Sequence, residues 1–222
     1  MDSKKVNYAQ KKAKDFNILT RLYQLYTLYI LFLPTFAFLF YNFKIERNKN
    51  LEKKLYIYAP NHISYIDVFI LNYVIGRPLA YMAKQELFKT DNWKQRYVTR
   101  NILRLGAFAV NREKVQLSTI KTVKEVFKAN FNLCIFPEGG IRKNHTIEHI
   151  NGGFIYFAKT NKIDIVPIAM KGLETYNWRP FKKQEVNIKM GEPISYELPE
   201  EEILKRWSEQ ICSFTGYENK VV

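Results

Sequence analysis

Apolar and polar positions along this 222-residue chain fall into short blocks whose periods predict strands alternating with helices. Strands are expected at Leu55–Ala59, Leu79–Ala83, Ala107–Val110, Leu133–Phe136, Ile165–Met170 and Val186–Met190. Helices are expected at Tyr65–Ile75, ended by Gly76 and Pro78, at Trp93–Leu105, and at Phe154–Lys159 after the pair Gly152-Gly153. Val115–Ala129 has helical spacing through Leu117, Ile120, Val123 and Phe127. Pro199–Phe214 reads as a closing amphipathic helix, with Gly216 beyond its end. This alternation predicts a layered α/β domain.

The first forty residues follow a different pattern. Leu22–Phe43 carries no charge and is dense in Leu, Tyr and Phe, with basic residues on both sides. It is too long, and starts too late, for a signal peptide. A straight helix of about 20 apolar residues would cross a bilayer. Pro34 instead divides the run, and Leu22–Leu33 as a helix reaches only about 18 Å. A bent element dipping into one leaflet keeps both basic flanks on the same headgroups. The expected organisation is therefore a basic N-terminal segment over 1–50, with a membrane-inserting helix or helical hairpin at 22–43, and a catalytic domain over 51–222. The expected place is the cytoplasmic face of the inner cell membrane, monotopic or single-span.

Composition sharpens the choice of partner. Thirty-five basic against 21 acidic side chains give a formal charge of +14, which favours anionic partners. The two cysteines, Cys134 and Cys212, form neither a disulfide framework nor a metal-ligand spacing.

The candidate chemistry sits behind three of the strands. Asn61-His62-Ile63-Ser64-Tyr65-Ile66-Asp67 places an imidazole and a carboxylate five residues apart after Leu55–Ala59. A histidine titrates near neutral pH, and an acid beside it fixes its tautomer. Gly-x-Ser-x-Gly is absent, so the pair reads as a base for a substrate's own hydroxyl. The plainer alternative is a helix capped by Asn61 or Ser64, with Asp67 in its first turn. Asn111 and Arg112 follow Ala107–Val110, while Glu138, Gly139, Gly140 and Arg142 follow Leu133–Phe136. If the strands are parallel, all three groups meet at one sheet edge, where open α/β sheets bind ligands. Arginine then offers bidentate binding of a phosphate, and glycines allow close approach of N–H groups to an oxyanion. Five residues turn an ideal helix through about 140°, so His62 must precede the helix for Asp67 to reach it.

In this order the motifs resemble the PlsC-type glycerolipid acyltransferases, the lysophosphatidic acid acyltransferase family. Asn61-His62 through Asp67 matches the first block, Asn-His-x4-Asp; Gly106 through Arg112 resembles the second; Phe136-Pro137-Glu138-Gly139 matches the third; Val166-Pro167-Ile168 resembles the fourth. In the third block Gly140-Ile141 precede Arg142, one place later than the family's Thr-Arg. The resemblance implies a mixed, partly parallel central sheet flanked by helices, similar to glycerol-3-phosphate acyltransferase. It implies acyl transfer from acyl-CoA or acyl carrier protein to a lyso-lipid hydroxyl, foremost that of 1-acylglycerol-3-phosphate, with no cofactor or metal. His62 would be the general base, Asp67 its orienting partner and Arg112 the phosphate ligand. Glu138, Gly139, Gly140 and Arg142 would line the acceptor site. A lyso-aminoacyl lipid is the alternative acceptor.

Two rival readings remain at this stage. His145-Thr146-Ile147-Glu148-His149 matches a zinc-hydrolase spacing that needs a helix. The charge also permits a basic nucleic-acid-binding or membrane-binding protein without catalysis, but the uncharged stretch at 22–43 argues against nucleic acid.

Overall fold

The computed structural model describes residues 15–30, 39–88, 91–110, 116–176 and 179–221. In chain order its elements are α1 (Ile18–Tyr26), β1 (Tyr41–Glu46), β2 (Ile57–Pro60), α2 (Asp67–Ile75), β3 (Leu79–Lys84), α3 (Trp93–Arg104), β4 (Ala107–Val110), α4 (Leu117–Lys128), β5 (Asn132–Cys134), β6 (Thr146–Ile147), α5 (Gly153–Asn161), β7 (Ile165–Lys171), β8 (Gln184–Met190), α6 (Glu200–Thr215) and β9 (Glu218–Asn219). They belong to two compact units, Met1–Tyr26 with Arg77–Cys134, and Thr27–Gly76 with Ile135–Val222.

In the first unit β5, β3 and β4 run parallel in that order, joined by α3 and α4. Gly106 enters β4 with φ +91°, and a Cβ there would lie 2.7 Å from the Leu79 carbonyl oxygen, so no other residue fits without displacement. Gln24 of α1 donates from Nε2 to the carbonyls of Leu79 and Leu105, at 2.7 and 2.8 Å. Helix α1 is thus inverted for a water-soluble helix. Its buried side chains are Thr20 and Gln24, while Ile18, Leu19, Leu22 and Tyr26 are exposed.

In the second unit the strand order is β1-β8-β7-β2. β2 is parallel to β7, β7 antiparallel to β8, and β8 parallel to β1, so the sheet is mixed and mostly parallel. Both faces of β2 and β7 are covered, which explains their unbroken apolar runs. Helix α6 buries Ile203, Trp207 and Ile211, spaced four apart on one stripe. The Trp207 indole N–H donates to the Ala59 carbonyl at 2.8 Å and ties α6 to the end of β2.

The expected strands hold to within two residues at each end, and β1, β6 and β9 are additions. Tyr41, Phe43 and Ile45 alternate with Asn42, Lys44 and Glu46 in a period-two pattern, with Tyr41 buried, and the stretch pairs with β8. The preceding run of aromatic residues hides that alternation in the sequence. Residues 31–38, with Pro34, lie outside the described residues. No helix among the described residues is long and apolar enough to cross a membrane.

Candidate active site

The site grows from the end of β2. Pro60 ends β2, the Asn61 backbone N–H still bonds the Ile168 carbonyl at 3.3 Å, and the Asn61 side-chain amide then extends the pairing. Its Nδ2 donates to the Met170 carbonyl at 2.9 Å and its Oδ1 accepts the Met170 N–H at 2.7 Å. The side chain is wholly buried, so these two bonds add a last rung between β2 and β7 while the backbone turns away into residues 62–66.

His62 stands in that turn, ahead of the helix. Asp67 is the first residue of α2, and its carboxylate reaches back to His62 Nδ1 at 2.9 Å. The same oxygen, Oδ2, accepts the N–H groups of Ile63 and Ser64, each at 2.9 Å. Three donors converging on one oxygen make it an acceptor, so Nδ1 carries the proton and Nε2 is left as the basic nitrogen. Asp67 is fully buried, and Oδ1 has no hydrogen-bond partner among the described residues. Burial pushes its carboxyl up from the usual range, against the pull of His62, Ser64 and Ile63. Of the capping alternative, Asp67 does stand in the first turn of α2, but the cap position is Ile66, not Asn61 or Ser64, and it makes no side-chain cap bond.

The motif after β5 completes the support. The Phe136 ring stacks on the imidazole at 3.9 Å between centroids. Glu138 is buried, and its Oε1 accepts the His62 N–H at 2.8 Å. The Arg142 N–H donates to the His62 carbonyl at 2.7 Å, so both backbone groups of His62 are held by one loop. Burial raises Glu138 to about 7, opposed by the His62 N–H and the Arg142 charge. Gly139 has φ +67°, and its N–H closes the turn onto the Phe136 carbonyl. At Gly140 a Cβ would meet nothing within 4 Å, so this part of the turn faces open space.

His62, Asp67, Glu138, Gly139, Gly140 and Arg142 therefore lie in the second unit, with His62, Asp67, Glu138 and Arg142 in one bonded cluster. Asn111 and Arg112 lie outside the described residues. Sequence reasoning missed three supports: the Asn61 amide, the Phe136 ring and the Trp207 indole. Only Asn61 left a signal, an amide placed directly after a proline that ends a strand. The zinc-hydrolase spacing does not take its required form, because Thr146 and Ile147 form a strand paired with Glu218 and Asn219. No group of three potential metal ligands occurs among the described residues.

Comparison with known proteins shows the family. Residues 42–171 match the model of the family described as Acyltransferase. The 1-acyl-sn-glycerol-3-phosphate acyltransferase of Cocos nucifera is 29% identical over 160 residues, covering 70% of this chain and 51% of that protein. The enzyme of the same name from Bacillus subtilis (strain 168) is 28% identical over 174 residues, covering 76% of this chain and 83% of that protein. The chain thus spans about half the length of the first relative and most of the second. In fold it is similar to the crystal structure of the 1-acyl-sn-glycerophosphate (LPA) acyltransferase PlsC from Thermotoga maritima. The TM-score is 0.59 at 18% identity, over 91% of this chain and 77% of that one. With more than half of its residues matched by the family model, and an imidazole–carboxylate pair built into the matched segment, the chain belongs to the Acyltransferase family.

Proposed function

We propose that this protein transfers a fatty acyl group from a thioester, acyl-CoA or acyl carrier protein, to the hydroxyl of a lyso-lipid, foremost 1-acylglycerol-3-phosphate, giving phosphatidic acid. The observation that carries this reading is the 2.9 Å bond from His62 Nδ1 to the buried Asp67 carboxylate, which leaves Nε2 as a base. Nε2 takes the hydroxyl proton as the acceptor oxygen attacks the thioester carbonyl carbon. The tetrahedral intermediate collapses with cleavage of the carbon–sulfur bond, and the imidazolium returns the proton to the departing thiolate. Asp67 stabilises the imidazolium between those steps. Gly139 uses its own N–H inside the turn, so oxyanion stabilisation falls to the open part of the turn at Gly140. Glu138 and the Arg142 backbone act by holding His62, and Arg112 is assigned to the acceptor phosphate.

The protein works at an anionic membrane surface, on the cytoplasmic face of the cell membrane. Helix α1 turns Ile18, Leu19, Leu22 and Tyr26 outward. Helix α3 of the same unit exposes Trp93 and Tyr97 and, on the same helical stripe, carries Arg100 and Arg104. Aromatic rings and arginines on one exposed stripe suit the headgroup level of anionic lipid.

The test is an acceptor panel with labelled acyl-CoA and acyl carrier protein, covering 1-acylglycerol-3-phosphate and a phosphate-free lyso-lipid, run beside His62→Ala. Loss of the base should lower kcat by about 10²–10⁴-fold. Undiminished turnover in His62→Ala would end the mechanism.

A further inference from the structure

Two supports flank the imidazole, and a third group connects them. On one side Asn61 is bonded to Met170, near the end of β7. On the other, Arg142 and Glu138 belong to the loop that runs on to His145. After β7 the chain turns sharply at Gly172, with φ +96°, where a Cβ would lie 2.3 Å from the Glu185 carbonyl oxygen. The Gly172 N–H donates to Glu174 Oε2 at 2.8 Å. The second oxygen of Glu174, Oε1, accepts the hydroxyl of Tyr217. The Tyr217 ring stacks on His145 with 5.1 Å between centroids. The adjoining backbone adds two bonds: Glu218 N–H to the His145 carbonyl at 3.0 Å and Lys220 N–H to the Ile147 carbonyl at 2.8 Å.

A closed circuit results. It runs from His62 through Arg142 to His145, across Tyr217 to Glu174, and back along β7 through Met170 and Asn61 to His62. The Tyr217 phenol links the loop to the turn after β7 through its oxygen and its face, beside two looser contacts, His145 Nε2 to Glu174 Oε1 at 4.0 Å and Lys143 Nζ over the Tyr176 ring at 4.8 Å. Burial, the Glu174 bond and the carboxylates of Glu138 and Asp67 all push that phenol up, so it remains a donor throughout the physiological range.

We propose that Tyr217 is a positioning residue for acyl transfer: it ties the far end of the 138–147 loop to the turn after β7 and so fixes both supports of His62. This rests on His62 being the general base. A misplacement of about 1 Å at a reacting group can cost about 10²-fold in rate, so a loosened support is expected to appear in kcat. The residue touches neither reacting group, and its loss should leave substrate binding intact.

The experiment measures kcat and KM for acyl-CoA and for 1-acylglycerol-3-phosphate in full-length Tyr217→Phe, Tyr217→Leu and Asn219→Ala, on anionic phospholipid vesicles, well below each unfolding midpoint. Tyr217→Phe keeps the ring stack and loses the bond to Glu174, so kcat should fall about fivefold to tenfold with both KM values within about twofold. Tyr217→Leu loses both contacts and should fall further. Asn219→Ala, in the adjoining β9, loses the bond to the Ser208 hydroxyl and the one from the Val221 N–H, and should keep its kcat. Wild-type kcat in a folded Tyr217→Phe overturns the proposal, as does an equal loss in Asn219→Ala, which would mark general loosening of the tail. A raised KM with unchanged kcat also overturns it, since that describes a substrate contact. His62→Ala is run beside them: activity retained there refutes the general-base reading itself, whatever Tyr217 does.

Discussion

Replacing Asp67 by Asn separates what the buried carboxylate does for the reaction from what it costs the fold. Three N–H donors meet at Oδ2, and an Asn oxygen in that place can still accept them. What disappears is the negative charge opposite the imidazolium. A hydrogen bond to a charged group is worth about 1.5–3 kcal/mol, against about 1 for a neutral one. At about 1.36 kcal/mol per decade, that difference of about 0.5–2 kcal/mol lowers kcat by roughly 2- to 30-fold. Stability should respond differently. Burial raises the Asp67 carboxyl, so the folded state holds the proton more tightly than the unfolded state, whose value is 3.8. Wild-type stability therefore falls as pH rises above that value, and the variant lacks this loss. The new amide N–H₂ sits where Oδ1 has no partner, at a cost of about 1–3 kcal/mol that limits the gain. Steady-state rates and urea unfolding across a pH series read both effects. Turnover equal to that of wild type would refute the role given to the carboxylate, and identical pH–stability curves for the two proteins would refute the raised carboxyl.

Glu138→Gln tests the neighbouring acid. Its folded value of about 7 against 4.5 unfolded means that stability is highest below about 4.5 and falls by about 3 kcal/mol as pH rises through 7. The Gln variant should lack that slope in urea unfolding, and an unchanged slope would assign it to another group. Gly106→Ala puts a Cβ 2.7 Å from the Leu79 carbonyl at φ +91°, and should lower stability by about 2 kcal/mol or more, read by thermal or urea unfolding.

Much of the fold was legible because its strands are covered on both faces. β2, β4, β5 and β7 are short apolar runs bounded by Pro, Gly or polar residues, and such runs need no tertiary information to be found. β1 escaped because Tyr41 and Phe43 continue an aromatic-rich, uncharged segment in which a period of two does not stand out. The second half of α1 falls in the uncharged stretch from Leu22, read from its Leu, Tyr and Phe content as membrane-inserting. The structure shows that Gln24 and Thr20 are its buried side and that the apolar side faces out. The His62–Asp67 pair was legible from spacing together with the requirement that His62 precede the helix. The roles of Glu138 and Arg142 were not, because both act through the backbone of His62, a contact 76 residues away in sequence for Glu138. Asn61, Phe136, Trp207 and Tyr217 likewise depend on partners that only the folded chain supplies.

The stacking of Phe136 on His62 has a stereochemical consequence. With one π-face of the imidazole covered and its Nδ1 edge facing Asp67, an alcohol can reach the ring's lone pair only in the plane of the heterocycle, along the Nε2 edge. The choice between competing hydroxyls on a glycerol skeleton is then made by how the incoming lipid is oriented, because the ring that deprotonates it has no freedom to swivel toward another.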